Sequence, residues 1–225
     1  YDGMDEISRV YGFSGIEPNM VLMGWSKREH NKKPFLNLIR NLHSSDFNTA
    51  FLCYNALKKF GDKKSIDFWW SGKGSNLAFS VSLMRHFTAS GEWRDANIRL
   101  LVINNSRVSP ENIYSRLQEF LNQYRINMEI RIISNYYEKL PSHELICRES
   151  VATDLTILDF PGNQLRHPEE LYDRVNTLSG NLGTFLLINS SSRFEAFDLI
   201  DNELSDGKNE PGTREMDLKE LQPSK

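Results

Sequence analysis

The chain has 225 residues, 39% of them hydrophobic and 25% charged, so it is long enough to build its own core and has the composition of a folded domain. Its formal net charge of −3 is too small for a polyanion-binding surface, which argues against a nucleic-acid partner. No window approaches the roughly 20 apolar residues that cross a bilayer, and the N-terminus lacks the features of a signal peptide.

Seven apolar or alternating runs are typical of strands. They are Met20–Met23, Thr49–Tyr54, Ile66–Trp70, Ile98–Ile103, Met128–Ile133, Leu155–Leu158 and Phe185–Ile188. The first run is continuously apolar and is predicted to be a strand covered on both faces, as in a parallel sheet. Met128–Ile133 alternates between apolar and polar residues, so we expect it near a sheet edge.

Helical spacing of apolar residues fills most of the gaps between these runs. Helices are predicted to end at Glu6–Tyr11, stopped by Gly12 and Gly15; to start at Pro34; to run from a cap at Ser75 or Asn76 to Gly91; to start at Ser109-Pro110-Glu111; and to cover Ser142–Ser150 and Pro168–Leu178. Lys58–Lys64 is predicted to be a charged turn. Every crossover between parallel strands is expected to be helical.

This alternation predicts an α/β fold, a doubly wound and mostly parallel sheet with helices on both faces. We assign residues 1–200 to this domain and residues 201–225 to an acidic, largely flexible tail, because the tail holds seven acids against four bases and little apolar surface. Ligands bind such sheets at the carboxyl ends of the strands. The loops expected to share that rim are Gly24–Lys27, Ser71–Ser75, Asn104–Arg107 and Pro161–Arg166.

The sequence Gly72-Lys73-Gly74-Ser75-Asn76 joins a predicted strand to a helix and resembles a phosphate-binding loop. A P-loop would need glycine at position 67 and Ser or Thr at position 74, where this chain has Asp67 and Gly74. The segment is therefore either a structural turn or an anion site, and we favour the turn.

Asp67, Trp69 and Trp70 could line a ligand cleft, with the indoles stacking on a base. Alternation in a strand instead places Asp67 and Trp69 on one face and Phe68 and Trp70 on the other. This favours aromatic side chains packed under the flanking helices and an Asp67 that caps or pairs at the start of the strand.

Neither cysteines nor histidines show the spacing of a metal site. Cys53 and Cys147 lie in or beside apolar stretches and are predicted to be buried, reduced thiols. No serine nucleophile motif or isolated carboxylate pair stands out. We therefore expect no metal, no cofactor and no enzymatic activity. The histidines considered are His30, His43, His86, His143 and His167.

Two segments, in the same order, resemble one protein family. The residues from Tyr11 to Ser26 are similar to the G-x-G-G-x-x-P-N-T-V-x-x-G-W motif in the cytosolic C-terminal region of cation-chloride cotransporters. The residues from Ile66 to Gly74 resemble the I-D-x-W-W segment of that family. The matched positions, which we interpret as structural, are Gly12, Gly15, Pro18, Asn19, Gly24, Trp25, Asp67, Trp69 and Trp70.

The resemblance implies a universal stress protein-like architecture and a non-catalytic regulatory and dimerisation domain of a prokaryotic homologue. In that family a transmembrane transport domain, which moves chloride with sodium or potassium, precedes the C-terminal region in the same polypeptide. We therefore expect a homodimer on the cytoplasmic side of the cell membrane, as part of an integral membrane protein.

A nucleotide-binding domain of the universal stress protein kind is the alternative, and it would use the same rim. Its usual glycine-rich phosphate fingerprint near the last strand is missing, because Asn189-Ser190-Ser191-Ser192 stands there. A small hydrolase would require polar residues that converge in a deep pocket on the rim.

Overall fold

A seven-stranded sheet organises residues 19–160 and 168–199, the part of the chain that this computed structural model describes. The strands are β1 (Met20–Gly24), β2 (Asn48–Cys53), β3 (Ser65–Trp70), β4 (Asn97–Asn104), β5 (Glu129–Ser134), β6 (Leu155–Asp159) and β7 (Phe185–Asn189). The helices are α1 (Lys32–Ser44), α2 (Asn76–Ala89), α3 (Pro110–Gln123), α4 (Ser142–Glu149) and α5 (Pro168–Asn181), with a 3-10 turn at Glu29–Asn31. The predicted helix end at Glu6–Tyr11 and the predicted tail 201–225 lie outside the described residues.

The sheet is mostly parallel and doubly wound, as predicted. Its spatial order is β1-β2-β7-β6-β3-β4-β5, and β7, β6, β3, β4 and β5 all run in one direction. Helices α2 and α3 pack on one face, against strand residues such as Phe68 and Leu100. Helices α1, α4 and α5 pack on the other face, against residues such as Trp69 and Leu158. The predicted fold class is confirmed, including helices on both faces.

The strands β1 and β2 run opposite to the rest of the sheet. They are parallel to each other, but β2 pairs antiparallel with β7, with Cys53 opposite Phe185. The link between β2 and β3 is therefore not a crossover, and it contains the turn that the sequence predicted at Lys58–Lys64. The last residue of β2 and the first residue of β3 lie at the same end of the strands. Residues 54–64 therefore only have to reverse the chain direction, and they form turns.

Strand β1 lies at one edge of the sheet, and its predicted burial on both faces is wrong. Val21 and Met23 pack towards α1, whereas Leu22 on the opposite face is 64% exposed. A short apolar run does not distinguish an edge strand from a central one, because both can be equally apolar in sequence. The alternating strand β5 lies at the other edge of the described sheet, as predicted.

A buried carboxylate ties the centre of the sheet to the loop before β6. Arg99 donates from Nε and Nη2 to the two oxygens of Asp67, each at 2.7 Å. The hydroxyls of Ser150 and Thr153 both donate to Asp67 Oδ2 at 2.6 Å. Trp69 Nε1 donates to Ser150 Oγ at 2.9 Å. Asp67 and Trp69 therefore have structural roles, and the pairing with Asp67 raises the pKa of the Arg99 guanidinium.

We predict that Arg99→Met destabilises the domain by about 3–5 kcal/mol, because it leaves the Asp67 carboxylate buried without its cation. The control is Arg131→Met on the neighbouring strand, which removes an ion pair with Glu149 in which the Arg131 side chain is 45% exposed, and it should cost less than about 1 kcal/mol. Urea unfolding of both variants measures the difference. Equal losses in the two variants would contradict the structural role assigned to Asp67.

Candidate functional site

The carboxyl ends of β3, β4, β6 and β7 form the rim at which a doubly wound sheet binds ligands. The adjacent parallel strands β3 and β6 lead to helices on opposite faces, α2 and α5, so the switch point of the topology lies between them. Ser71–Ser75 and Asn104–Arg107 share this rim, as predicted. Gly24–Lys27 does not lie at the rim. Strand β1 runs in the opposite direction, so its last residue, Gly24, pairs with Leu52 at the other end of the strands. The fourth predicted loop, 161–166, lies outside the described residues.

The glycine turn after β3 is engaged by the chain itself. Gly72 and Gly74 both have positive φ values, 89° and 83°, which only glycine adopts without strain. The Gly74 amide donates to Asp198 Oδ1 at 2.7 Å, and the carbonyl oxygens of Gly72 and Gly74 accept from the amides of Leu199 and Phe197. Lys73, between the glycines, is exposed. A carboxylate of the same protein thus occupies the position where an anion would bind.

The segment that supplies this carboxylate, residues 191–199, is called the strap. Its aromatic rings pack on the α2 and α3 face: Phe194 lies 5.2 Å from Phe79, and Phe197 lies 4.8 Å from Phe120, between ring centroids. Arg116 on α3 donates to the carbonyl oxygens of Asp198 and Leu199. The strap is therefore part of the packed fold.

Three consecutive backbone amides follow β7, at the place where the universal stress protein alternative expects phosphate contacts. The amides of residues 190–192 all donate to side chains of this chain. Their acceptors are Asn76 Oδ1, Asn48 Oδ1 and Asp46 Oδ1, in that order, each at 2.7 Å. The hydroxyl of Ser192 also donates to Asp46, and these bonds lower the pKa of the Asp46 carboxyl.

Helix α2 starts where the sequence predicted, but without the predicted side-chain cap. Ser75 directly precedes the helix, but its side chain makes no capping bond to the helix amides. Its hydroxyl lies 2.7 Å from the hydroxyl of Ser190, and Asn76 accepts from the Ser190 amide. Both side chains that were predicted to cap α2 instead hold the loop after β7.

A cavity of about 250 Å³ opens at the switch point, on the α4 and α5 side of the sheet. Asp159, the last residue of β6, lies in its wall and accepts from the amide and the hydroxyl of Ser71, at 2.9 and 2.8 Å. Withdrawal from water raises the pKa of Asp159 to about 6, although the bonds from Ser71 act in the opposite direction. Other lining residues include Asn105, His143, Ile146, Arg174 and Val175.

The polar groups of the cavity suit hydrogen bonding better than covalent catalysis. The Ser71 hydroxyl donates to a carboxylate, whereas a serine nucleophile is usually activated by an imidazole. Within residues 19–160 and 168–199, no group of three or more His, Cys, Asp or Glu side chains is placed to hold a metal ion.

None of the described helices is long and apolar enough to span a bilayer.

The described motif residues lie in the core or make hydrogen bonds within the fold, except Gly24, which is exposed. Trp25 is buried against Phe35, with ring centroids 5.0 Å apart in an edge-to-face arrangement. The Asn19 carbonyl accepts from the amide and the side chain of Asn48, and Gly24 ends β1. Trp70 is buried beside Phe197 of the strap. Gly12, Gly15 and Pro18 lie outside the described residues.

Both cysteines are free thiols. Cys53 is buried, as predicted, whereas Cys147 is only partly buried. Burial raises the pKa of each thiol, which favours the protonated form.

Comparison with known proteins relates the chain to two kinds of domain. No known sequence-family model matches it. Its structure is similar to that of the cytoplasmic domain of a prokaryotic cation chloride cotransporter, with a TM-score of 0.58 and 13% identity, over 91% of this chain and 72% of that one. It is also similar to a universal stress protein from Archaeoglobus fulgidus DSM 4304, with a TM-score of 0.52 and 11% identity, over 85% of this chain and 65% of that one. At such identities the shared property is the fold, a universal stress protein-like α/β sheet.

We predict that Asp159→Asn stabilises the protein at neutral pH but not in acid. A carboxyl group whose folded-state pKa is raised costs stability as the pH rises from about 4, the unfolded value, to about 6, and the cost is constant above that. The gap in Tm between variant and wild type should therefore open from pH 4 to pH 6 and then level off. Asp95→Asn, on an exposed loop at the other edge, controls for the loss of one surface charge. A pH-independent gap would show that Asp159 is not desolvated.

Proposed function

We propose that this chain is the cytosolic regulatory and dimerisation domain of a cation-chloride cotransporter-like membrane transporter, and that it is non-catalytic. Two observations of different kinds support the proposal. The motif residues that suggested the family, such as Trp25 and Trp69, are core residues here, as a shared fold would require. The fold similarity to a cotransporter cytoplasmic domain extends over 91% of the chain.

The choice between an interaction domain and a nucleotide-binding domain depends on whether the backbone amides at the rim are available to a ligand. Phosphate groups bind backbone amides at turns and helix starts, and such amides must be available to the ligand. Here the amides of Gly74 and of residues 190–192 already donate to side-chain oxygens at 2.7 Å. A nucleotide would have to displace these bonds and compete with the carboxylates of Asp46 and Asp198. The rim therefore favours a domain that works through protein contacts.

In this proposal the ions cross the membrane through a transport domain of the same polypeptide. The role of the α/β domain is mechanical and regulatory: it pairs with a second copy, and changes in that pairing bias the conformation of the transport domain. Coupling of this kind requires a rigid domain. The two-sided core and the buried Asp67 network supply that rigidity.

A nucleotide-binding function remains the second candidate, because the cavity at the switch point offers Ser71 and Asp159 as polar contacts. Its volume of about 250 Å³ is just below the range of about 300–1,000 Å³ that is typical of ligand pockets.

We predict that calorimetric titration of the full chain with ATP, ADP and AMP gives only heats of dilution. Asp198→Ala, which frees the Gly74 amide, should also show no binding, because the three amides after β7 stay engaged. Micromolar binding by the wild type, abolished when Val175→Trp fills the cavity, would establish the nucleotide-binding alternative instead.

We also predict that the full chain is a homodimer in solution. Light scattering after size exclusion should give twice the chain mass of 26.1 kDa at high concentration, and dissociation on dilution. A mass of 26.1 kDa at every concentration would contradict a role of this domain in dimerisation.

A further inference from the structure

Residues 54–64 form the loop between β2 and β3, at the end of the strands opposite the rim. The loop presents an apolar side chain among lysines. Leu57 is 95% exposed, and Lys58 and Lys59 follow it directly and are also exposed. Isolated apolar side chains on a surface are common, so the exposure of Leu57 alone has no functional meaning. Three features of its surroundings give the exposure of Leu57 a functional meaning. They are the hydrogen bonds that hold the loop, the apolar residues near Leu57 and the charge of the loop.

The loop holds Leu57 in place through its backbone. Asn55 Oδ1 accepts from the amides of Leu57 and Lys58, both at 3.0 Å. Asn55 is itself fixed to the start of β7, because its amide donates to Thr184 Oγ1 at 3.1 Å and its side chain to the Leu182 carbonyl at 3.2 Å. The Leu57 side chain therefore projects into solvent from an ordered backbone.

Further apolar surface lies beside Leu57. The Lys58 side chain reaches the loop before β6, where its ammonium donates to the Val151 carbonyl at 3.1 Å. Val151 is 54% exposed, and the next residue, Ala152, is exposed as well. Tyr54, at the start of the loop, is 44% exposed. Tyr54, Leu57, Lys58 and Lys59 on this loop, with Val151 and Ala152 on the segment that Lys58 contacts, are here called the Leu57 patch.

The charge of the loop is opposite to that of the whole chain. Residues 54–64 contain four lysines and one aspartate, whereas the chain has a net charge of −3. The acidic side chains nearby are mostly engaged: Asp154 accepts from three amides of the loop and its end, and Glu92 pairs with Lys63 at 2.7 Å. Asp62 is exposed, but the surface around Leu57 remains basic.

We propose that the Leu57 patch docks on an anionic lipid surface. Leu57 would enter the boundary between headgroups and acyl chains, while the ammonium groups of Lys58 and Lys59 contact acidic headgroups. A protein partner fits less well, because lysine is depleted at the centre of protein interfaces. The inference deepens the proposed function: a domain carried by a membrane transporter stays close to the bilayer, so a weak contact is sufficient.

The test is sedimentation of the full chain with vesicles of phosphatidylserine and phosphatidylcholine, compared with vesicles of phosphatidylcholine alone, at low salt. The wild type should bind the anionic vesicles preferentially, and added salt should weaken the binding. Lys58→Gln with Lys59→Gln should lower the partition coefficient about 25-fold, because each lysine contributes about fivefold. Leu57→Gln should lower it about tenfold.

Tyr137→Gln is the matched control. Tyr137 is 91% exposed, like Leu57, but it follows β5 and lies at the rim end of the strands. Its partition coefficient and the Tm of all variants should equal those of the wild type. Equal binding of the wild type to both kinds of vesicle, or to neither, would overturn the proposal, as would full binding by Leu57→Gln. A loss of dimer mass in Leu57→Gln without vesicle binding would assign the patch to a contact between copies. The vesicle assay uses no nucleotide and no dimer measurement, so its failure leaves the proposed function standing.

Discussion

Backbone amides at the carboxyl ends of the central strands need acceptors, and in this protein other parts of the same chain supply them. A buried amide without a partner costs about as much as a lost hydrogen bond. Nucleotide-binding sheets leave such amides for the ligand, but here Asp46, Asn48, Asn76 and Asp198 accept from them. The bond to Asp198 and the packing of Phe194 and Phe197 together hold the strap over α2 and α3.

The reversed pair of strands makes that arrangement possible. Because β2 is antiparallel to β7, the amino end of β2 lies beside the carboxyl end of β7, and Asn48 is within reach of the Ser191 amide. If β2 ran parallel to β7, Asn48 would lie at the opposite end of the strands. The same reversal places the loop of residues 54–64 at the end of the strands away from the rim. The two ends of the sheet therefore differ: the rim is held by internal hydrogen bonds, and the other end presents the Leu57 patch.

The cavity at the switch point shows how far residue-level prediction reached. A polar residue at the end of an apolar strand is a recognisable signal, and Asp159 directly follows Leu155–Leu158, although it was not among the predicted site residues. The glycine turn was located correctly, but the bond from Gly74 to Asp198 joins residues 124 positions apart. Sequence spacing carries no information about such a contact. Asp67 was expected to cap or pair at the start of its strand, while the partners of its four hydrogen bonds come from two other segments of the chain.

Local sequence patterns were sufficient for the order of strands and helices and for the placement of neighbouring strand residues on opposite faces. Trp69 and Trp70 pack on opposite faces because alternation is a local property of an extended chain. The direction of β1 and β2 and the partner of each rim amide depend on tertiary contacts. Strand direction depends on which neighbour a strand pairs with, and that choice is made by packing between elements distant in sequence, about which local periodicity carries no information.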